Sequence, residues 1–236
     1  MKKVVIVIPV YNEEKIIQDS LKAINSWCLI NHDFQWKIIV ADNGSTDRTS
    51  ELANSLVTKL GTELEVIKIF FKGRGFALKV SWFNYNADIY VYMDADLSTD
   101  LNNLLALIKP ISLGIYDLVI GSRRHTDSEV SRSVFREVIS RSYIALYKLI
   151  LNSKVSDLQC GFKAVNRQVV KNILPEIIDN QWFFDTELIW LSEKRNYKIL
   201  EIPIKWNEDI NSSVDIIKTM MNYIKNLIRL KNSSHI

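Results

Sequence analysis

Short apolar runs alternate with longer amphipathic segments through the first half of this chain, and that alternation is the strongest constraint on its fold. Residues 4–8 form a continuous run of Val and Ile, which is typical of a strand buried on both faces of a parallel sheet. Further strands are predicted at 36–41, 64–70, 89–93 and 117–120. Helices are predicted between them, at 13–27, 45–60, 75–85 and 100–113. Strand–helix alternation with short connections predicts a doubly wound α/β sheet.

The second half of the chain has a different pattern. A long helix is predicted at 132–151, followed by a loop at 153–161 and a strand at 162–165. A helix at 185–194, a strand at 199–206 and a final helix at 214–231 complete the prediction. No internal repeat or low-complexity linker separates the two halves, so we expect the 236 residues to pack as one domain.

Composition excludes several classes of protein. The chain is 47% apolar and 24% charged, as in ordinary globular proteins, and its net charge of +3 is too small to indicate nucleic-acid binding. Cys28 and Cys160 form neither a disulfide framework nor a metal-ligand spacing, which favours a reducing compartment. No signal peptide and no apolar stretch of about 18 residues is visible, so no membrane span is predicted.

Polar residues follow every predicted strand of the first half. Ligands of doubly wound sheets bind beyond the carboxyl ends of the strands, so we expect these residues to meet at one edge. In chain order the sets are Pro9, Val10, Tyr11, Asn12 and Glu13; Asp42, Asn43, Gly44 and Ser45; Lys72, Gly73, Arg74 and Gly75; Asp94, Ala95 and Asp96; and Gly121, Ser122 and Arg123.

Asp94 and Asp96 are the candidate metal ligands. Two carboxylates one residue apart can hold a divalent cation that keeps positions open for phosphate oxygens, and a diphosphate leaving group suits such a cation. The alternative is a solvated turn whose Asp residues cap the next helix.

Two loops are candidate nucleotide contacts. Tyr11 offers a ring that can pack on a base, or the loop from Pro9 to Glu13 is only a helix entry. Asp42, expected at an exposed strand end, can accept the N–H of a pyrimidine or guanine, or it forms an Asx turn before Gly44.

Arginines supply the candidate phosphate contacts. Arg74 stands between two glycines that allow backbone to approach a ligand. Guanidinium groups also suit phosphate at Arg123, Arg132 and Arg136, with Arg124 nearby, although a solvated basic face would explain some of this cluster.

The strand-end motifs, in this order, resemble the family-2 glycosyltransferases of GT-A fold. Three later motifs are similar to the polyprenyl-phosphate branch, which contains the dolichyl-phosphate mannose and glucose synthases. They are Asp-Leu-Gln-Cys-Gly-Phe-Lys at 157–163, Phe-Asp-Thr-Glu at 184–187 and Glu-Ile-Pro-Ile-Lys-Trp at 201–206. The resemblance covers residues 4 to 210, and the Gln-Cys-Gly-Phe-Lys stretch favours the glucose synthases.

The resemblance implies a role for each matching donor-side residue. Pro9, Tyr11 and Glu13 would line the nucleotide pocket. Asp94 would lie near the ribose and the metal, and Asp96 would bind the Mg²⁺ or Mn²⁺ that bridges the diphosphate. The family usually has a second acid where Asn43 stands, and many lipid-mannose relatives have Gln at the position of Ser98.

The resemblance also implies an acceptor side. Asp157 would lie near the reacting centre, together with Asp96 and Arg123. Lys163 and Lys205 would contact phosphate, or they are solvated strand-edge lysines. Glu187 would bond a sugar hydroxyl, or it forms a helix cap or an ion pair.

By resemblance, residues 1–122 would bind the donor and residues 123–236 would form the acceptor side. The implied reaction is inverting transfer of a hexose, glucose rather than mannose, to a polyprenyl or dolichyl phosphate. UDP-glucose is the favoured donor, and GDP-mannose is the other candidate. One alternative is a family-2 transferase acting on a sugar hydroxyl in polysaccharide synthesis, and another is a non-catalytic nucleotide-sugar-binding module. Residues 210–214 lack the glycine and lysine of the family's Gly-Ser-Lys motif.

The final helix, at 214–231, is strongly amphipathic. Its broad apolar arc runs from Ile216 to Leu230, and Lys218, Asn222, Lys225 and Arg229 lie opposite. The helix would either dock on the core or lie in a membrane surface. With a lipid acceptor, we expect a peripheral protein on the cytoplasmic side of a membrane.

Overall fold

The computed structural model describes residues 1–131, 133–207 and 216–233, without the side chains of 134–136, 216–219 and 233. The strands are β1 (Lys2–Val10), β2 (Phe34–Asp42), β3 (Glu63–Lys68), β4 (Ile89–Met93), β5 (Leu118–Ser122), β6 (Glu129–Ser131), β7 (Phe162–Asn166), β8 (Ile199–Pro203) and β9 (Lys205–Asn207). The α-helices are α1 (Ile17–Ile30), α2 (Thr49–Asn54), α3 (Arg74–Asn84), α4 (Leu104–Ser112), α5 (Val134–Leu151), α6 (Arg167–Asn172), α7 (Phe184–Lys194) and α8 (Ile216–Ser233).

The main sheet has the order β3-β2-β1-β4-β7-β5-β8. From β1 the chain moves to β2 and β3 on one side, and then returns to place β4 on the other side in parallel. The chain therefore changes direction between β1 and β4, which are neighbours in the sheet. Doubly wound sheets bind their ligands in a cleft beyond the carboxyl ends of the strands at such a point. Val4, Ile6, Val7 and Ile8 are fully buried because helices cover both faces of the sheet. The doubly wound, mostly parallel fold is confirmed.

Strand β7 was predicted as a strand but its place in the sheet was not. It runs antiparallel to β4 and β5 and lies between them. Its insertion makes the sheet mixed and buries residues that the sequence would place at an edge.

The single strand predicted at 199–206 is wrong, because β8 and β9 belong to different sheets. Pro203 has no N–H to extend a ladder, and the next N–H, of Ile204, donates to Ser128 Oγ (3.1 Å). Strand β9 then pairs with β6.

The helix predicted at 45–60 is also shorter than expected. Ser45 and Thr46, the predicted cap residues, are instead hydrogen-bonded to the loop after β1. Ser45 Oγ accepts the Asn12 N–H (3.0 Å), and the Thr46 N–H donates to Asn12 Oδ1 (2.8 Å). Helix α2 therefore begins at Thr49. Helix α6, capped by the Asn166 side chain, was not predicted.

Across the described ranges, we find no helix with both the length and the apolar character needed to cross a bilayer.

Candidate active site

The loops after β1, β2 and β3 are joined to one another at the carboxyl edge of the sheet. Asn43 N–H donates to the Val10 carbonyl (2.9 Å), and Gly73 N–H donates to Asn43 Oδ1 (3.1 Å). Glu13 N–H donates to Thr49 Oγ1 (2.7 Å). These strand-end residues therefore meet at one edge, as predicted. Asn43, which stands where the family usually has a second acid, links the loops after β1 and β3 by hydrogen bonds.

The residues predicted to contact the nucleotide lie along this wall, next to Pro9. Tyr11 is 41% exposed, its hydroxyl accepts a hydrogen bond from Lys72 Nζ (2.6 Å), and the same ammonium lies 4.1 Å from the ring centroid. Glu13 has a backbone role, because its carbonyl accepts the N–H groups of Ile16 and Ile17 at the start of α1. The predicted stacking of a base would use the exposed part of the Tyr11 ring.

Asp42 is buried, which corrects the expectation of an exposed strand end. Only 3% of the residue is exposed, and its Oδ1 accepts the Ser45 N–H (2.9 Å) in an Asx turn that Gly44, at φ +79°, completes. The turn folds over the end of β2 and removes the carboxylate from solvent. One oxygen of Asp42 therefore has a structural role, and a nucleotide contact would use the other.

Asp94 and Arg74 form the floor of the cleft. Arg74, at the start of α3, places Nη2 2.6 Å from Asp94 Oδ1, and its guanidinium packs over the rings of Tyr92 and Trp182. Arg74 Nε is buried without a hydrogen-bond partner in the described structure. A buried donor without an acceptor is costly, so a ligand oxygen at this point would be stabilised.

Asp96 projects outward, two residues beyond Asp94. It is exposed, and its Oδ1 accepts the Ser98 N–H (2.9 Å). Between Asp96 and Ser98, Leu97 adopts φ +51°, a left-handed backbone conformation that costs a branched residue about 1–2 kcal/mol. Backbone strain of this kind clusters at functional turns, and here it lies in the turn that carries Asp96.

Asp94 and Asp96 are suitable ligands for a divalent cation. Among the described side chains, no cluster of three or more Asp, Glu, His or Cys groups forms a metal site. Magnesium commonly binds one or two carboxylates and takes its other ligands from water and substrate phosphates. The pair therefore fits a cation that arrives with a diphosphate, and fits poorly a cation held by protein alone.

Arg123 and Asp157 form a buried bidentate pair across the cleft. Arg123 Nε donates to Asp157 Oδ2 (2.7 Å), Nη2 donates to Oδ1 (2.8 Å), and the Arg123 N–H adds a third bond to Oδ2 (3.0 Å). Burial alone would raise the pKa of Asp157, but the charge and hydrogen bonds of Arg123 hold it well below its usual value. Asp157 is thus fixed as an anion that orients Arg123, whose planar face also packs on Trp206.

Glu201 is a site-supporting residue that sequence reasoning did not identify. Its carboxylate accepts hydrogen bonds from Ser156 N–H (2.9 Å), Ser156 Oγ (2.6 Å) and Asp157 N–H (3.1 Å). It thereby fixes the loop that carries Asp157. The Glu-Ile-Pro-Ile-Lys-Trp motif contained this residue, but only the tertiary structure brings β8 beside the loop.

Lys163 is not an exposed phosphate contact, which corrects its predicted role. It is fully buried because β7 is an internal strand, and its Nζ donates to Asp185 Oδ1 (2.8 Å), Tyr92 Oη (3.2 Å) and the Cys160 carbonyl. Burial lowers the pKa of Lys163 and raises that of Asp185. The lysine belongs to the layer beneath the cleft.

Glu187 is also occupied elsewhere, and the ion-pair alternative is correct. It is 1% exposed, its Oε2 accepts the N–H groups of Ile178 and Asp179 (both 2.8 Å), and its Oε1 pairs with Arg229 of α8. Both oxygens are used to join α7, the loop before it and the last helix, so a sugar hydroxyl has no place here.

The remaining predicted basic residues are dispersed. Lys205 is largely exposed and 3.7 Å from Glu129. Arg124 is tied to α5 through Glu137 and Ser140. Arg132 and the Arg136 side chain lie outside the described residues, so their predicted phosphate contacts stay predictions.

Helix α8 docks on the core and keeps an exposed apolar stripe. Tyr223, Leu227 and Leu230 are buried, and the Tyr223 hydroxyl donates to Gln159 Oε1 (2.6 Å) beside the Asp157 loop. On another face, Met221, Ile224 and Ile228 are 64%, 41% and 52% exposed. Among the described side chains, the apolar arc therefore divides into a buried stripe and an exposed stripe. The buried stripe agrees with docking on the core, and contact of the exposed stripe with a membrane stays a prediction.

Curated relatives carry related descriptions. The chain is 31% identical over 235 residues to the glycosyltransferase AglD of Haloferax volcanii, covering 96% of this chain but only 36% of that protein. It is 26% identical to a dolichyl-phosphate beta-glucosyltransferase of Dictyostelium discoideum and 28% identical to one of Saccharomyces cerevisiae. In both cases the match covers 96% of this chain and 73% of the relative.

Solved structures share the fold. Glucosyl-3-phosphoglycerate synthase of Mycobacterium tuberculosis, in complex with UDP, superposes with a TM-score of 0.72 at 20% identity, over 98% of this chain and 80% of that one. The same enzyme with Mn²⁺, UDP and phosphoglyceric acid gives 0.71. At this identity the likeness concerns the fold.

The sequence profile of Glycosyl transferase family 2 matches residues 5–174, a span that includes the cleft from the loop after β1 to the Asp157 loop. With the fold and the arrangement of strand-end residues, this match shows that the chain belongs to glycosyltransferase family 2.

Proposed function

We propose that this protein transfers glucose from UDP-glucose to a polyprenyl phosphate such as dolichyl phosphate, with inversion at the anomeric carbon. The curated relatives named as dolichyl-phosphate beta-glucosyltransferases support the acceptor and the sugar. The UDP complexes of the structural neighbours support the donor.

The observation that carries this proposal is that Asp157 is an ionised carboxylate bound by Arg123. A sugar hydroxyl must lose its proton as it attacks, so it needs a general base. Asp157, the carboxylate predicted near the reacting centre, has both oxygens bound by Arg123 and a pKa held well below its usual value. A phosphate acceptor is already ionised at neutral pH and needs no base, so this cleft favours a lipid phosphate over a polysaccharide hydroxyl.

The cleft residues would then act by binding and orientation. Tyr11 would pack on the base, and the second oxygen of Asp42 would accept its N–H. Arg74 would offer its unpartnered Nε to a diphosphate oxygen. Arg123, held in position by both oxygens of Asp157, would place its Nη1 toward the phosphates of donor and acceptor. Orientation of reactants in this way supplies much of a transferase's rate.

Asp94 and Asp96 would hold Mg²⁺ or Mn²⁺ against the diphosphate. When bound, the cation would neutralise negative charge on the leaving group. Lys205, with Arg132 and Arg136, is kept as a candidate contact of the acceptor phosphate.

The acceptor lipid also indicates where the protein works. We propose a peripheral position at the cytoplasmic face of a membrane, with the exposed stripe of α8 toward the lipid. Cys28 and Cys160, both buried and unpaired, are compatible with a reducing compartment.

The test is a transfer assay with matched acceptors. Purified protein is incubated with radiolabelled UDP-glucose or GDP-mannose, Mn²⁺ and either dolichyl phosphate or dolichol in detergent. We expect label from UDP-glucose to enter the organic phase only with dolichyl phosphate. Transfer to dolichol or to a soluble saccharide would overturn the phosphate acceptor. Transfer from GDP-mannose alone would overturn the donor, and binding of UDP without any turnover would indicate the non-catalytic alternative.

A further inference from the structure

Three polar side chains form a buried cluster beneath the cleft that the proposed function does not use. Tyr92 of β4 and Lys163 of β7 are fully buried and lie opposite each other in the sheet, and Asp185 at the start of α7 is 2% exposed. Lys163 Nζ is 2.8 Å from Asp185 Oδ1 and 3.2 Å from Tyr92 Oη, and Tyr92 also bonds Asp185. We call these three residues the buried triad.

Stability is a weak reason for such a cluster. Removing two charges from water is costly, and well-packed neutral side chains in place of a buried ion pair are often as stable or more so. A buried pair of this kind is better explained by the geometry that it imposes on its surroundings, which here are the groups of the cleft floor.

Each member of the buried triad lies within three residues of a cleft residue. Tyr92 is two residues before Asp94, and Asp185 is three residues after Trp182, on which Arg74 packs. Lys163 is two residues after Gly161, and its ammonium donates directly to the carbonyl of Cys160. The triad therefore anchors three different elements at one point below the site.

The peptide that accepts the Lys163 hydrogen bond lies against the Asp94–Arg74 pair. Gly161 lies directly against the carboxylate of Asp94 and the guanidinium of Arg74, so closely that a Cβ at residue 161 would collide with both. The Cys160–Gly161 peptide is thus the surface against which the Asp94–Arg74 pair rests. A shift of this peptide would move the candidate metal ligand and the candidate diphosphate contact together.

We propose that Tyr92, Lys163 and Asp185 are positioning residues, which fix the Cys160–Gly161 backbone so that Asp94 and Arg74 are aligned for the cation and the donor diphosphate. This inference rests on the proposed donor site but not on the identity of the acceptor. Supporting residues of this kind around a metal typically change affinity or activity by roughly 10- to 100-fold when they are replaced.

The test separates positioning from folding with a neutralised pair. Lys163→Met leaves Asp185 buried without its cation, so we expect a lower thermal midpoint and lower activity. Lys163→Met/Asp185→Asn removes the unpaired charge and keeps an acceptor for Tyr92, so the midpoint should return close to that of the wild type. The Cys160 carbonyl still lacks its ammonium donor, so kcat/KM and the affinity for Mn²⁺ in the presence of UDP should stay reduced by roughly 10- to 100-fold.

Two further measurements define the result. Arg167→Met removes a cation from the half-exposed pair with Asp88 (3.3 Å), outside the cleft, and should leave both kinetics and Mn²⁺ affinity unchanged. If the double variant recovers activity and Mn²⁺ affinity along with its midpoint, the triad is structural and the proposal is wrong. Calorimetry with UDP and Mn²⁺ needs no acceptor, so it decides this point even if the wild type transfers no sugar to a lipid phosphate.

Discussion

At the scale of the residue, the cleft is built from pairs in which one partner holds the other. Asp157 fixes Arg123, and Arg74 contacts Asp94 while keeping a donor without a partner. The chemistry assigned to single residues is therefore a property of these pairs, and substitutions must be chosen so that the structural bonds survive.

Asp96→Asn should remove most of the activity, whereas Ser98→Ala should remove little. Asn keeps the oxygen that accepts the Ser98 N–H but loses the charge that a hard cation requires. Ala at residue 98 keeps the backbone N–H that donates to Asp96. Transfer rates at graded Mn²⁺ concentrations measure the difference, and full activity of the Asp96 variant after EDTA treatment would exclude this metal site.

Asp42→Asn should weaken nucleotide binding without unfolding the turn. The amide oxygen can still accept the Ser45 N–H, while the loss of a charge-assisted hydrogen bond to the base costs roughly 1.5–3 kcal/mol. Calorimetric titration with UDP gives the affinity, and thermal unfolding gives the control. A collapsed midpoint with unchanged UDP affinity would show that the Asx turn is the whole role of this residue.

At the scale of the element, ion pairs join the two longest helices, α5 and α8, to other parts of the chain. Glu137 on α5 binds Arg124, which follows the Gly-Ser-Arg motif, and Glu187 joins α7 to Arg229 of α8. The packing of these helices therefore depends on ionised carboxylates.

The contribution of Glu137 to the free energy of unfolding should disappear in acid. Hydrogen bonds from Arg124 and Arg141 hold the pKa of Glu137 at about 2, below its ordinary value of 4.5. A folded-state pKa below the unfolded one means that the stabilisation is fully present above pH 4.5 and is lost as pH falls through about 2. Thermal midpoints of Glu137→Gln and wild type should differ at pH 6 and converge toward pH 2. An equal difference at both pH values would contradict the assignment.

At the scale of the whole molecule, α8 has one apolar stripe packed on the core and another exposed to solvent. Its inner stripe packs against Tyr143 and Phe183, and its outer stripe of Met221, Ile224 and Ile228 faces solvent. The helix can therefore contribute to folding and to lipid contact at the same time, on different sides.

Met221→Ser/Ile224→Ser/Ile228→Ser should release the protein from anionic vesicles and leave its thermal midpoint nearly unchanged. Each apolar side chain moved into the interface contributes up to roughly 1.5–3 kcal/mol, and exposed Lys225 and Lys231 add about 1 kcal/mol each, so binding should weaken in salt. Vesicle sedimentation measures this. Leu227→Ala is the matched control on the buried stripe and should destabilise folding by about 2–5 kcal/mol. Unchanged sedimentation of the triple variant would move the lipid contact elsewhere.

The sequence by itself determined the strands of the first half and the sheet edge at which their polar end residues meet. Alternating apolar and amphipathic segments are local, periodic signals, and strand direction then forces the residues after β1, β2, β3 and β4 to one edge. Asp94, Asp96, Tyr11 and Arg74 could be identified from that argument alone, because their positions follow from where their strands end.

Tertiary structure decided the roles of the charged residues in the second half. Lys163 and Glu187 are charged residues of a kind usually found at the surface. The antiparallel insertion of β7 buries Lys163 beside Asp185, 22 residues away along the chain. The docking of α8 pairs the buried Glu187 with Arg229, 42 residues away. Whether a charge meets a ligand or a buried counter-ion depends on the elements packed over it. That packing is set by long-range contacts, which no local pattern in the sequence encodes.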